Sequence, residues 1–397
     1  MSVNNVTNYH LKTVVFKSGE RFPMLVTGAG VPLHGPTVFA MAEVRNRHRA
    51  SNTIANVLGA LSVFHSFLDE HGIEISARLE NGSLLELGEI EALVRACRKD
   101  LKNRTGKNSI VTSEVCGTRL RTIRRYLEWL VKGKLLATNY SHSSLLEQRG
   151  RLTLDTINAR IPPTSSERTE PREGLAPDVV QRLTSLFAPQ SRDNPWKSEH
   201  VRFRNHLIWN VFFHLGIRGG ELLGIRIRHI DVRRGTLSIV RQADSHDDPR
   251  RKQPSTKTLA RKLDISDLLQ RQITDYILKY RRRLRNAQKH DFLFVSDSGD
   301  PLSSSGLNKV FRVLRAKCPE LPRSLTPHVL RHTWNDMFSE EIDGRNVDPE
   351  VEKRTRSLLM GWKPTSNSAA IYTKRFVRRK AKEVSLSLQQ KAMSEDK

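Results

Sequence analysis

The chain has 397 residues, and its 67 lysines and arginines outnumber 42 aspartates and glutamates to give a formal charge of +25. That length accommodates about two to three domains, each with a core of its own, and 37% hydrophobic residues is too many for a disordered chain. The charge makes a polyanion the expected partner, nucleic acid first, with generic basicity as the plain alternative. Met1-Ser-Val-Asn-Asn-Val-Thr-Asn8 lacks the apolar core of a signal peptide, and no apolar run is long enough to span a membrane. Cys97, Cys116 and Cys318 form no CxxC pair, so neither a disulfide framework nor a cysteine zinc site is expected, which fits a reducing cytoplasm.

Residues 1–40 read as an arm or small strand segment, with a hairpin from Lys12–Phe16 and Arg21–Val26 in which Pro23 confines the second strand to an edge. From Ser51 the pattern becomes helical. Ile54, Val57, Leu58, Leu61, Phe64 and Leu68 form one stripe ending near Gly72. A second helix is expected over Ile90–Leu101. A third, over Thr118–Val131, buries Leu120, Ile123, Leu127 and Leu130 and carries Arg119, Arg121, Arg124 and Arg125 on its other face. Such a run is either a solvated face or a surface for phosphates. Residues 161–176, rich in Pro, Ser, Thr and Glu, read as a linker between a domain at 41–160 and another at 177–397.

The second domain opens with a helix at Pro177–Leu186 and another at Arg202–Leu215, whose buried stripe is Phe203, Leu207, Val211 and Phe212. A short helix follows at Gly220–Gly224. Strands at Thr236–Arg241 and Thr258–Ile265 flank a basic turn, and from Ser266 onward the pattern is mostly helical.

Five motifs in this domain could carry chemistry. Leu215-Gly-Ile-Arg-Gly-Gly-Glu-Leu-Leu223 places Arg218 on a turn that opens a helix, where a guanidinium can meet a phosphate in bidentate fashion. No Gly-Lys-Ser/Thr follows, so this is not a nucleotide loop. Lys257 sits near the end of the inter-strand turn, with Lys252 and Lys262 as neighbouring candidates. In Thr326-Pro-His-Val-Leu-Arg-His-Thr333, His328 and Arg331 are three apart and share a helix face, and Pro327 suits the first turn. His328 and His332 have metal spacing, but residue 329 is Val where a zinc protease motif has Glu, and no third ligand is near in sequence. Leu358-Leu-Met-Gly-Trp-Lys-Pro-Thr365 and Ala369-Ala-Ile-Tyr-Thr-Lys-Arg375 complete the set.

In this order the motifs resemble the tyrosine recombinase family, the phage-integrase-like site-specific recombinases, over about Pro177–Arg379. The helical region near 45–140 resembles that family's core-DNA-binding domain less specifically. The resemblance implies a mainly α fold with a small β-sheet in the catalytic domain (α+β). It also implies a site-specific DNA recombinase or integrase working through a 3′-phosphotyrosyl intermediate. Its catalytic residues would be Arg218 with Glu221 in support, Lys257, His328, Arg331, Trp362 at a position usually held by histidine, and Tyr372 as nucleophile. His332 and Thr333 would pack. Ten positions separate Trp362 from Tyr372, one more than the family commonly has, and the stretch from Arg331 to Trp362 is long. Arg119, Arg121, Arg124, Arg125, the Arg281–Arg285 cluster and the Lys374–Lys382 tail would hold DNA.

The partners implied are double-stranded DNA and three further copies, as a homotetramer on two DNA sites, with residues 376–393 docking on a neighbour. No metal or other cofactor is implied. The setting would be bacterial or phage-encoded, cytoplasmic and nucleoid-associated. Two alternatives share the motifs: type IB topoisomerase-like strand relaxation, and a non-catalytic DNA-binding protein on the same fold.

Overall fold

In the computed structural model, the described residues are 9–47, 50–100, 110–137, 143–163, 174–241, 244–254, 256, 258–345, 347–363, 366 and 381–390. They form two compact units that part at Ser166/Glu167, inside the expected linker. Both are mainly helical with small antiparallel sheets. No helix among the described residues is long and apolar enough to cross a membrane.

The first unit begins with the expected hairpin, β1 (Tyr9–Val15) and β2 (Arg21–Thr27), in which Val15 faces Arg21 and Pro23 faces Thr13. From residue 9 on, this expected small strand segment packs onto the helices that follow it. Phe22 and Leu25 of β2 and Phe39 of α1 (His34–Phe39) lie in the same apolar core as the helices. Helix α2 (Ser51–Glu70) supplies Ile54, Leu58, Leu61, Phe64 and Leu68 to that core and stops before Gly72, whose φ is +63°. After α3 (Ile75–Glu80), α4 (Leu87–Arg98) starts three residues earlier than its apolar stripe, because Glu86 and Glu89 form a capping box.

Helix α5 (Ser113–Ala137) overruns its predicted span at both ends. Helix α6 (Ser143–Ala159) is not anticipated by pattern, since Gly150 and Thr153 occupy buried positions where large apolar residues would reveal the period. A Cβ on Gly150 would meet the Val131 side chain at 3.4 Å, in van der Waals contact, so α5 and α6 pack closely here.

The second unit is built on α8 (Glu199–Leu215), buried nearly all round, against which α7 (Pro177–Phe187) packs. Its buried set is wider than the predicted stripe and includes Val201, Ile208 and Trp209, whereas Phe203 is only partly buried. Short helix α9 (Gly219–Leu223) leads to a three-stranded sheet in the order β3 (Ile230–Asp231), β4 (Thr236–Ile239), β5 (Arg261–Asp264). Strand β5 is shorter than predicted. Thr258 turns its hydroxyl toward Glu221, and the Leu259 amide donates to the Gly361 carbonyl rather than to β4.

Helix α10 (Asp267–Asp275) continues into further helical turns, and the buried run Phe292–Val295 is not helical but bends between isolated bridges at Phe292 and Val295. Helices α11 (Ser304–Lys317), α12 (Pro327–Asp343) and α13 (Pro349–Met360) follow. The segment entering this unit is anchored on α12: the Gly174 amide donates to Asp336 Oδ2 at 2.7 Å and the Leu175 amide to Thr333 Oγ1 at 2.9 Å.

Candidate active site

Helices α8 and α9 meet at a left-handed glycine. Gly216 has φ +57°, and a Cβ there would lie 2.6 Å from the Trp334 ring. This turn sends the chain into Arg218, the N-cap of α9, whose amide donates to Glu221 Oε2 at 3.1 Å. The Gly216 carbonyl accepts from Arg331 Nη1 at 2.9 Å, so the first and third motifs are joined directly. Arg331 Nη2 donates to the Met360 carbonyl at 3.0 Å, and the guanidinium stands 5.4 Å from the Trp362 ring centroid. Arg331 is 1% exposed, while Arg218 is partly exposed and His328 open to solvent.

The groups converge on one cavity of about 350 Å³. It is lined by Arg218, His328 and Arg331, together with Ser304 and Asn308 from the start of α11 and Thr326 from the start of α12. Ser303 and Thr326 cap these two helices through their side chains. The N-termini of α11 and α12 add partial positive charge to that of the arginines. A cavity so built suits an anion the size of a phosphodiester.

Glu221 lies beneath this floor with its side chain fully buried. Burial would raise its carboxyl, but the hydrogen bond and charge of Arg261, with the Thr258 hydroxyl and the charge of Arg331, hold it below the usual carboxylate range. It therefore stays ionised and can accept from the Arg218 amide.

His332 and Thr333 are buried, as packing residues should be, and the His328 and His332 rings lie 4.6 Å apart edge to face. No group of three or more candidate metal ligands occurs among the described residues. Trp362 is buried beside Trp334 and Met360. Lys252 and Lys262 are exposed, Lys262 on the outward face of β5. Lys257 and Tyr372 lie outside the described residues, as does most of the 374–382 tail, and residues 381–390 are helical and exposed.

The expected DNA-holding residues divide. Arg119 Nη1 donates to the carbonyls of Cys97 and Lys99, both at 2.8 Å, and Arg124 Nε to that of Leu154 at 3.3 Å. These two tie α5 to its neighbours. Arg121 and Arg125 are exposed, Arg125 with Glu43 at 3.8 Å. Arg281 is corrected: it is buried and donates to the carbonyls of Phe292 and His290, leaving Arg282, Arg283 and Arg285 exposed.

Sequence reasoning missed Arg261 and Thr258 as partners of Glu221. The signal was available for Arg261, which shares the inward face of β5 with Leu263, an unusual place for a cation.

Comparison with known proteins bears on this geometry. A family model described as the phage integrase family matches residues 175–375. Tyrosine recombinase XerD of Halalkalibacterium halodurans is 26% identical over 193 residues, 49% of this chain and 56% of that protein. Tyrosine recombinase XerC of Listeria monocytogenes is 26% identical over 169 residues, 42% of this chain and 50% of that protein. The chain thus spans about half the length of these curated relatives. Among solved structures, XerA recombinase aligns with TM-score 0.36 and 16% identity, covering 84% of this chain and 91% of that one. The Tn1549 transposon integrase with transposon right end DNA aligns with TM-score 0.46 and 14% identity, covering 76% and 86%.

Proposed function

Because the chain belongs to the phage integrase family, whose model covers just over half of it, we propose that it is a tyrosine site-specific recombinase. It breaks and rejoins DNA strands through a 3′-phosphotyrosyl intermediate with Tyr372 as nucleophile. The observation that carries the reading is the single cavity lined by Arg218, His328 and Arg331. Two arginines and a histidine, drawn from motifs over a hundred residues apart, face one anion-sized space.

The chemistry follows from charge. A phenol has a pKa of about 10 and is a weak nucleophile near neutrality. Arg218 and Arg331 bind the non-bridging oxygens of the scissile phosphate and offset the negative charge that builds in the transition state. His328 positions Tyr372 or takes its proton, and Lys257 gives a proton to the departing 5′ oxygen. Trp362 packs beside Arg331 and offers its indole N–H to the phosphate. The 3′-phosphotyrosyl bond stores the phosphodiester energy until a 5′-hydroxyl attacks it, so strand rejoining needs no nucleotide.

Double-stranded DNA is the substrate, held by the basic surface of both units. A homotetramer on two sites is the assembly that strand exchange requires, and the nucleoid is its place of action.

The test is recovery of covalent protein–DNA adducts from expressing cells under denaturing conditions, with sequencing of the attached DNA. Wild type should yield discrete sites with protein on the 3′ side. Tyr372→Phe should yield none while still shifting duplex DNA in a gel. Adduct formation by Tyr372→Phe would sink the assignment of nucleophile. Formation by wild type should persist in EDTA, and its loss there would turn attention to His328 and His332 as metal ligands.

A further inference from the structure

Three successive carbonyls end α13, just before Trp362, and each is held by a different part of the unit. Leu359 accepts from Arg261 Nε at 2.6 Å, Met360 from Arg331 Nη2 at 3.0 Å, and Gly361 from the Leu259 amide at 2.9 Å. Helix C-termini leave such carbonyls without intrahelical donors, so these bonds fix where the chain leaves the helix.

Arg261 does more than cap. Its Nη2 lies 2.8 Å from Glu221 Oε2, and its Nη1 lies 3.4 Å from both Glu221 Oε1 and Thr258 Oγ1. Its side chain is 3% exposed. Gly361, at φ +64°, is required for this approach, because a Cβ there would sit 2.6 Å from Arg261 Nη1.

We propose that Arg261 is a positioning residue of the catalytic centre, one guanidinium that locks together the Arg218–Glu221 motif, the strand leaving Lys257 and the segment entering Trp362. The proposal rests on the recombinase reading for the reaction it serves. A planar fork with five donors can reach a carboxylate, a hydroxyl and a carbonyl at once, and a lysine ammonium cannot span the same partners. A buried cation is costly, and its three attachments run to three of the motifs singled out by sequence. Thr258 is the residue after Lys257, Glu221 accepts from the Arg218 amide, and Leu359 is three residues before Trp362.

The test compares Arg261→Lys, Arg261→Met, Glu221→Gln and the double variant Arg261→Met/Glu221→Gln with wild type. The first readout is the rate of covalent adduct formation, from pH 5 to 8, on a nicked duplex bearing a sequence recovered from the cellular adducts. The second is hydrogen exchange of residues 258–263 and 358–362 without DNA. Arg261→Lys and Arg261→Met should both form adduct about tenfold more slowly or worse, and both segments should exchange faster together.

In Arg261→Met the acid limb of the rate profile should move to higher pH. Burial then acts on Glu221 with its hydrogen-bonded cation gone and only Arg331 and Arg218 Nη1, the latter at 3.8 Å, still opposing it, and the protonated carboxyl no longer holds the Arg218 turn as a charged acceptor. If Arg261→Met does not fold, the double variant leaves no uncompensated charge, and it should remain about tenfold slower than Glu221→Gln alone. Wild-type adduct rates in Arg261→Met, or in the double variant relative to Glu221→Gln, overturn the proposal. So does faster exchange confined to one segment. Absence of adduct in wild type would instead strike the recombinase reading, and exchange would still decide whether Arg261 joins the two segments.

Discussion

The two units treat polar groups in opposite ways. Among the described residues, the first unit buries Arg21 and Thr153 in an otherwise apolar core. The second buries Arg204, Glu221, Arg226, Asp248, Arg261, Arg281, Arg331, Glu352 and Arg356, besides several asparagines and threonines. An apolar core is the cheaper way to stability, because desolvating charge offsets much of what pairing returns. Concentrated buried charge therefore marks the unit where directional bonds matter more than cohesion. Two of its arginines, Arg226 and Arg250, sandwich the Phe292 ring at 4.3 and 4.4 Å, which pins the 244–250 segment to the body. Arg119 and Arg124 of the first unit lie nearer the surface and donate to carbonyls of neighbouring segments.

The sharpest way to break this contrast is at Arg331. Arg331→Ala removes a group that lines the cavity and also strips the donors from the Gly216 and Met360 carbonyls. Adduct formation should fall by about 10²–10³-fold, the scale of losing a positioned transition-state donor. Arg331→Lys should recover little of it, because one ammonium cannot replace the fork. Near-normal rates in Arg331→Ala would remove it from the chemistry.

The next effect concerns stability. Arg356 Nη1 donates to the Asn335 carbonyl at 3.0 Å, Nη2 to Ser339 Oγ at 2.8 Å, and the same nitrogen pairs with Glu352. It thereby ties α12, which carries His328 and Arg331, to α13. Arg356→Met leaves a buried carboxylate behind and should cost about 3–5 kcal/mol in urea unfolding. Arg356→Met/Glu352→Gln should recover part of that loss. A double variant no better than the single would show that packing, not charge, holds the pair.

Much of this was legible in the sequence, but unevenly. Apolar periodicity located α2, α7 and α8, because each has a large aliphatic or aromatic residue on every inward turn. The motifs around Arg218, His328 and Arg331 were legible because their spacing reports local geometry, and the structure brings them to one cavity. Long-range polar contacts were not legible. The bonds from Arg261 to Glu221 and to Leu359 span 40 and 98 positions, and no local period encodes them. The same holds for Arg119 and Arg124. A run of cations on a helix looks like one surface, yet two of the four are committed to backbone carbonyls.

Acid should reveal the cost of the first unit's apolar core. The half-buried His65 ring lies among Tyr9, Phe64 and Tyr126, and burial lowers its pKa to about 4, against an opposing pull from Asp69. The folded state binds the proton less well than the unfolded chain. Its contribution is thus complete above about pH 6.5 and is lost as pH falls toward 4. The loss should reach about 2 kcal/mol, discounted for partial exposure. His65→Gln should flatten that dependence in a pH series of melts that follows the first unit. An unchanged acid slope would place the sensitive group elsewhere.

The smallest effect on stability should come from the exposed pair on α5. Among the described residues, Arg121 and Arg125 make no backbone contact of the kind that occupies Arg119 and Arg124, and Arg125 lies near the surface carboxylates of Glu43 and Glu128. Replacing either with alanine should change unfolding free energy by no more than about 0.5 kcal/mol. If they meet phosphates, each replacement should weaken duplex binding across sequences and reduce the slope of log K against log salt by about one. Arg119→Ala should do the reverse, costing about 1–3 kcal/mol of stability because the Cys97 and Lys99 carbonyls lose a charged donor, with little change in that slope. Equal salt slopes for all three variants and wild type would mean that this face of α5 never meets the duplex.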